Sequence, residues 1–165
     1  MRFGNNHLLP KGPLREPVER INDASKIIIV NKGNEDIDSA VDYFSKFNKP
    51  ISICKMKPKR IYNLTTKADV KIKEKQDIIA FCAIGQSEQF YGFVKKYYNL
   101  VKTVSFEDHH KYTKTDIKDL IKLAKKLNIS CFITTQKDET KLKELICGIQ
   151  GFNFNVLELE NVIEE

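Results

Sequence analysis

Two histidines stand side by side behind an aspartate near the middle of the chain, at Asp108-His109-His110. The branched residues just upstream predict a short β-strand, and Thr113 with Asp116 has the spacing of a helix capping box. Asp108 and His109 therefore fall between a strand and a helix, where ligands collect in open α/β sheets. Imidazole can transfer a proton near neutral pH, and a neighbouring carboxylate can orient it. The same pattern is equally typical of a structural turn.

A second polar group follows another predicted strand, at Lys137 and Asp138. Because the carboxyl ends of parallel strands meet at one edge of a sheet, we expect this group to emerge beside Asp108 and His109. A lysine at such an end is a natural phosphate contact. An aspartate beside it can orient the lysine or help to hold a magnesium ion.

The first part of the chain predicts a loop. Residues 3–17 contain three of the five prolines and two of the seven glycines, which excludes a regular helix or a central strand. Within it, the planar guanidinium of Arg15 can grip a phosphate or a carboxylate, and Glu16 can pair with Arg15 or with another neighbour. A surface turn with an ordinary ion pair is the alternative reading.

Hydrophobic periodicity predicts alternating strands and helices. Continuous branched runs predict strands buried on both faces, and apolar residues at helical spacing predict amphipathic helices. The predicted strands cover residues 26–31, 51–54, 78–83, 101–106, 130–135 and 152–159. Helices are predicted in every interval between them except 55–76, which we expect to be a short β-ribbon linker. The fold class is therefore α/β, with a parallel, Rossmann-like αβα sandwich.

The net charge of +6 is concentrated between Lys55 and Lys75, which hold eight basic residues against two acidic ones. Such a strip suits an anionic partner such as a phosphate or an acidic membrane surface, and it is also typical of a solvated face. Without a known nucleic-acid motif we expect no nucleic-acid partner.

The cysteine pattern and the hydropathy exclude other classes of protein. The four cysteines are widely spaced and form no CxxC pair, so we expect buried free thiols in a reducing cytoplasm and no metal site. No apolar run approaches the roughly 18 residues of a membrane helix, and the N-terminus lacks the apolar segment of a signal peptide.

Four blocks of the sequence, in this order, resemble the tetraacyldisaccharide 4'-kinases, the lipid A 4'-kinases of Gram-negative bacteria. They are residues 8–17 (LLPKGPLREP), 80–85 (AFCAIG), 106–112 (FEDHHKY) and 134–138 (TTQKD) with Lys141-Leu142. The family usually has glycine at Ala83, Asn-Pro at Gln86-Ser87, proline at Glu107 and glutamate at Gln136. These departures affect loop shape and leave the candidate site residues unchanged.

The resemblance implies an ATP- and Mg²⁺-dependent transfer of the γ-phosphoryl group to the 4'-hydroxyl of a tetraacylated glucosamine disaccharide 1-phosphate. In such a reaction the protein mainly positions groups and neutralises charge. It also implies that Asp108 and His109 are catalytic, and that His109 works with an aspartate from the nucleotide-binding half in activating the sugar hydroxyl. The substrate- or phosphate-binding residues would be Arg15, Glu16, Lys137 and Asp138.

No G-x-x-x-x-G-K-S/T motif occurs in this chain, so it carries no phosphate-cradling loop of that type. The family's P-loop and its Asp-Asp-Gly-Phe-Gln segment would lie upstream of Met1. We therefore expect residues 1–54 to be the C-terminal remnant of a P-loop NTPase-like domain, 55–76 a basic linker and 77–165 a C-terminal α/β domain. The chain alone would be inactive and would need the N-terminal P-loop half as a partner.

The lipid substrate implied by the resemblance would place the chain in the cytoplasm, peripheral to the inner face of the inner membrane. Two other classes remain open. One is a non-catalytic partner subunit or remnant. The other is an Asp-His-His metal phosphoesterase, but its upstream aspartates and its Gly-Gly-Gly-His segment do not occur in a matching context.

Overall fold

A six-stranded sheet with helices forms the fold. The computed structural model describes residues 5–31, 36–71, 76–85 and 87–164. A 3₁₀ helix covers Val18–Asp23, and the further elements are β1 (Ile27–Asn31), α1 (Ile37–Ser45), β2 (Ile51–Asn63), β3 (Asp77–Cys82), α2 (Ser87–Tyr97), β4 (Asn99–Ser105), α3 (Lys114–Leu127), β5 (Cys131–Thr135), α4 (Gln136–Ile146) and β6 (Asn153–Glu164). The strands are hydrogen-bonded in the order β1-β2-β6-β5-β3-β4.

The chain divides into two compact units. The first comprises Met1–Lys55 with Asn161–Glu165, and the second comprises Met56–Glu160. In the first unit, β1 pairs in parallel with β2, from Ile27 opposite Ile51 onwards, and α1 packs against β1. The predicted parallel strand–helix–strand arrangement is therefore present here.

The second unit has its core around β3 and β5. β3 pairs in parallel with β4 and with β5, and β5 pairs in parallel with β6. Every residue of β5 is buried, as expected for a strand covered on both faces. Phe132 stacks on Phe154 with ring centroids 4.7 Å apart, and Phe81 meets Phe132 edge-on at 6.0 Å. Fully burying one such side chain stabilises the fold by about 1.5–3 kcal/mol.

The interval predicted as a β-ribbon linker begins as a strand. Residues 55–63 continue β2, and Tyr62 forms an antiparallel bridge with Asp69. The role of 55–76 as a linker between domains stays a prediction. Lysines between the apolar positions hide the strand pattern, yet Ile61, Tyr62 and Leu64 are buried, and the Leu64 N–H donates to the Phe154 carbonyl at 2.8 Å. Lys73 and Lys75 of the basic strip lie outside the described residues, as does Gln86.

Three of the four cysteines are buried, namely Cys54, Cys82 and Cys131, and Cys147 after α4 is exposed. Burial raises the pKa of Cys131 to about 11 and also raises the pKa of Cys82. Both thiols therefore stay protonated at neutral pH and behave as core residues. The prediction of buried free thiols is confirmed at three positions and is wrong at Cys147.

Among the described residues, each helix is too short or too polar to traverse a lipid bilayer.

Candidate functional site

The loop between β4 and α3 carries the adjacent histidines. Its far end is the first turn of α3, where the Thr113 hydroxyl accepts the Asp116 N–H at 3.2 Å. The Asp116 Oδ2 in return accepts the Thr113 N–H at 2.7 Å and the Thr113 hydroxyl at 2.9 Å. This capping box is the one that the spacing predicts.

His109 faces solvent. Its side chain is 89% exposed, and its φ of 62° lies in the left-handed region, which is uncommon for a residue with a β-carbon. The His109 N–H donates to Asp108 Oδ1 at 3.1 Å. The imidazole Nε2 lies 3.8 Å from Asp108 Oδ2, too far for a hydrogen bond but close enough to stabilise an imidazolium. The pair can thus accept a proton from solvent or from a substrate.

His110 points the other way. Its ring stacks on Phe106 with centroids 4.9 Å apart, and its Nε2 lies 3.0 Å from Asp116 Oδ2. The sequence pattern predicts no separate role for His110. The sequence signal for this contact is the spacing of three residues between His110, Thr113 and Asp116. This spacing brings side chains together where a helix begins.

The end of β3 approaches Asp108 closely at Gly85. A side-chain carbon placed on Gly85 would lie 3.2 Å from Asp108 Oδ2, tighter than an ordinary contact. A glycine therefore allows the two loops to meet without displacing the carboxylate. Since β3 and β4 are parallel neighbours, their carboxyl ends converge at the same edge.

Asp138 follows β5 at the same edge of the sheet but is not exposed there. It is fully buried in the first turn of α4, where its Oδ2 accepts the Ala83 N–H at 3.1 Å and the Thr135 hydroxyl at 2.8 Å. Lys141 Nζ lies 3.6 Å from the other carboxylate oxygen. Both hydrogen bonds of Asp138 go to buried protein groups, and its predicted role in binding substrate or phosphate stays a prediction.

The carboxylate of Asp138 also affects the pKa of Tyr112, the residue that precedes Thr113. Burial and the nearby Asp138 charge raise the pKa of the Tyr112 phenol well above its usual range. The phenol therefore stays neutral at all physiological pH values, and it serves as a packing group behind the histidine loop.

Lys137 remains exposed beside Asp138, in the first turn of α4. A helix N-terminus carries a partial positive charge, so a lysine there can bind an anion together with the free N–H groups. Its predicted role in phosphate binding stays a prediction. Helix α4 starts at Gln136, directly after β5, because Thr135 caps the helix and accepts the Asp138 N–H.

Arg15 and Glu16 lie in the first unit and are exposed. Glu16 Oε2 pairs with Arg20 Nε at 3.4 Å, so its partner is not Arg15. The preceding loop is ordered by backbone hydrogen bonds, and a side-chain carbon on Gly12 would collide with the His7 carbonyl oxygen at 2.3 Å.

A cavity of 520 Å³ opens beside this loop in the same unit. Its lining is Asn6, Leu8, Leu14, Pro17, Val18, Glu19, Asn22, Tyr43, Lys46 and Phe47. Leu14 and Pro17 flank Arg15 and Glu16 in the chain, so the loop that carries the predicted phosphate contacts also forms a wall of the cavity.

The basic strip is partly neutralised by acidic partners. Glu158 accepts hydrogen bonds from Lys59 at 2.8 Å and from Arg60 at 2.6 Å, which lowers the pKa of Glu158. Lys67 pairs with Glu139, whose other carboxylate oxygen accepts the Tyr62 hydroxyl at 2.7 Å. These pairs leave less positive charge for an external anion than the sequence indicates.

Across the described ranges 5–31, 36–71, 76–85 and 87–164, no three His, Cys, Asp or Glu side chains cluster so as to hold a metal ion.

The family model for tetraacyldisaccharide-1-P 4'-kinase matches residues 1–165. Proteins named tetraacyldisaccharide 4'-kinase are similar over most of the chain. The one from Rickettsia canadensis is 30% identical over 144 residues, 87% of this chain and 40% of its own length. The one from Hamiltonella defensa is 33% identical over 143 residues, 86% and 38% respectively. The one from Chelativorans sp. is 28% identical over 167 residues, 99% and 46% respectively.

A solved structure has the same fold. The crystal structure of LpxK from Aquifex aeolicus in complex with ATP matches 98% of this chain with a TM-score of 0.60 and 24% sequence identity. The match covers 45% of that chain. The present chain therefore spans less than half the length of these relatives.

The first prediction concerns acid stability. Partial burial acts to raise the pKa of Asp116, but the hydrogen bonds from His110 and Thr113 outweigh it and hold that pKa below the ordinary aspartate value. A lowered folded-state pKa stabilises the protein above the unfolded-state value of about 4, and this contribution is lost as the pH falls through the folded-state pKa. Urea unfolding should show a steeper loss of stability below about pH 4 in the wild type than in Asp116→Asn. Equal slopes would contradict the prediction.

The second prediction separates a buried anchor from a substrate contact. Asp138→Ala should lower the free energy of unfolding by about 2–4 kcal/mol, since it leaves the Ala83 N–H and the Thr135 hydroxyl without an acceptor. Asp138→Asn should lower it less, because the amide oxygen can accept both bonds. The exposed neighbour Lys137→Ala is the control and should change it by less than about 0.5 kcal/mol. An Asp138→Ala variant with an unchanged free energy of unfolding would contradict the anchoring role of Asp138.

Proposed function

The chain belongs to the tetraacyldisaccharide-1-P 4'-kinase family, and on that basis we propose that it is the C-terminal half of a lipid A biosynthesis kinase. The whole enzyme would transfer the γ-phosphoryl group of ATP to the 4'-hydroxyl of tetraacyldisaccharide 1-phosphate. This reaction requires a proton acceptor for the sugar hydroxyl and positive groups for the phosphates.

The observation that carries the proposal is the exposed Asp108–His109 pair at the carboxyl edge of the parallel strands. The neutral His109 imidazole is the proton acceptor for the sugar hydroxyl, and the Asp108 carboxylate 3.8 Å away stabilises the imidazolium that forms. Gly85 keeps the neighbouring loop clear of that carboxylate.

Two further groups are proposed to bind phosphate. Lys137, exposed in the first turn of α4, combines a full positive charge with the partial charge of a helix N-terminus. Arg15 offers a planar donor fork to a phosphate, and the neighbouring Glu16 pairs with Arg20 of the 3₁₀ helix.

ATP and Mg²⁺ are expected from the family, and they would supply the phosphoryl group and the charge that neutralises it. The described residues do not fit the metal, because they form no cluster of ligands. The sequence contains no P-loop for the nucleotide. We therefore propose that a P-loop half, either preceding this chain or acting in trans, provides both groups and that the chain alone is inactive.

Domain organisation and location belong to the same proposal. Residues 1–54 would be the remnant of the nucleotide-binding domain, and residues 77–165 a Rossmann-like domain that carries the Asp-His loop. A lipid substrate would place the protein in the cytoplasm at the inner face of the inner membrane. The basic strip would assist weakly, since Glu158 and Glu139 already pair with three of its cations.

The third prediction is tested by a kinase assay with labelled ATP and the tetraacyldisaccharide 1-phosphate. We expect no label transfer by the chain alone and transfer after addition of a separately expressed P-loop half from a family member. His109→Ala should lower the reconstituted rate about 10²-fold or more, as expected for the loss of a general base.

Lys111→Ala is the matched control for this assay, because Lys111 is exposed in the same loop and should leave the rate unchanged. Transfer by the chain alone would refute the requirement for a second half. The absence of label transfer both with and without the added P-loop half would favour a non-catalytic subunit or remnant.

A further inference from the structure

The imidazole of His110 is clamped on three sides. Phe106 stacks on one face, with centroids 4.9 Å apart and planes within 20° of parallel. Tyr112 meets the ring edge-on at 5.5 Å. The Nε2 atom is bonded to Asp116 Oδ2 at 3.0 Å, and the side chain is only 30% exposed, against 89% for His109. Two adjacent histidines thus have opposite environments.

The Asp116 oxygen that receives His110 cannot move independently of α3. The same Oδ2 accepts the Thr113 N–H and the Thr113 hydroxyl, so displacing it would uncap the helix. Tyr112, on the aromatic side of the clamp, is held in place by the core. Tyr112 is buried and packs edge-on against Phe81 of the core at 6.0 Å.

The short segment between two anchors contains the proposed catalytic pair. At its start, the Phe106 N–H donates to the Cys82 carbonyl at 2.9 Å and ties the loop to the end of β3. At its end, the His110 N–H donates to the Glu107 carbonyl at 3.0 Å, next to the clamped ring. Only Glu107, Asp108 and His109 lie between the anchored residues.

His109 needs such an anchor. A left-handed backbone conformation is unfavourable for a residue with a β-carbon, so it persists only where neighbouring contacts enforce it. At φ 62°, His109 turns its imidazole outwards while its N–H reaches back to Asp108. A relaxed φ would turn the His109 imidazole in another direction and change its distance from the Asp108 carboxylate.

We infer that His110 is a positioning residue: its clamped ring holds His109 in the left-handed conformation that presents the Asp108–His109 pair to a substrate. This role rests on the proposed function for its consequence in catalysis. His110 does not exchange protons with the substrate through Nε2, because that atom is occupied by Asp116.

Two variants of His110 remove its two kinds of contact separately. His110→Phe keeps an aromatic ring to stack on Phe106 but loses the bond to Asp116, and His110→Gln keeps a donor for Asp116 but loses the stacking. Lys111→Gln, exposed in the same loop, is the matched control. NMR spectroscopy of the isolated chain reports the backbone directly, since a residue at positive φ gives a strong intraresidue cross-peak between its amide and α protons.

We expect that cross-peak at His109 in the wild type and in Lys111→Gln, and a clear weakening in both His110 variants. Amide exchange at His109 should become at least 10-fold faster in both, while the amides of Ile79 and Phe81 in β3 keep their wild-type rates. A weak cross-peak in the wild type, or an unchanged one in both variants, overturns the inference. Equal acceleration in β3 also overturns it, since His110 would then support only global stability.

In the reconstituted kinase assay, His110→Gln should lower kcat at least 10-fold and leave the KM for ATP unchanged. A raised KM with unchanged kcat contradicts the positioning role. If the wild type is inactive in that assay, the proposed function fails, and the NMR measurements still decide whether His110 positions His109.

Discussion

A single buried carboxylate joins the ends of two neighbouring parallel strands, and the candidate site is built on that junction. Asp138 sits in the first turn of α4, directly after β5, and accepts the Ala83 N–H from the end of β3. Burying a charge is costly unless it is hydrogen-bonded or paired. The Ala83 N–H and the Thr135 hydroxyl both bind Oδ2, and Lys141 Nζ lies 3.6 Å from Oδ1. The bond to Ala83 also fixes the loop that runs from Ala83 to Gly85 beside Asp108.

The two carboxylates near the loop between β4 and α3, those of Asp108 and Asp116, have different surroundings. Asp116 binds inward to His110 and Thr113, and its lowered pKa keeps it ionised at neutral pH. Asp108 lies outward, with a side chain 54% exposed next to His109. One carboxylate therefore maintains the structure of the loop, and the other is left to act on the exposed imidazole.

The long strand β2 explains why the basic strip is less available than its composition indicates. In a strand, alternate side chains point to opposite faces, so lysines can flank buried residues such as Ile61 within one strand. Arg60 and Lys59 then pair with Glu158, which lies about a hundred residues further along the chain. Part of the positive charge of the strip is therefore engaged in ion pairs within the fold.

The sequence by itself determined the local elements: the branched runs of β1, β3 and β5, the capping box before α3, and the position of Asp108 and His109 in a loop after a strand. These follow from contacts within a few residues, which composition and spacing report directly. Only the tertiary structure decided that Asp138 is buried, that β2 extends to Asn63, and that His110 turns inward while His109 turns outward. The bond from Ala83 to Asp138 joins residues 55 positions apart, and no local pattern encodes such a pairing.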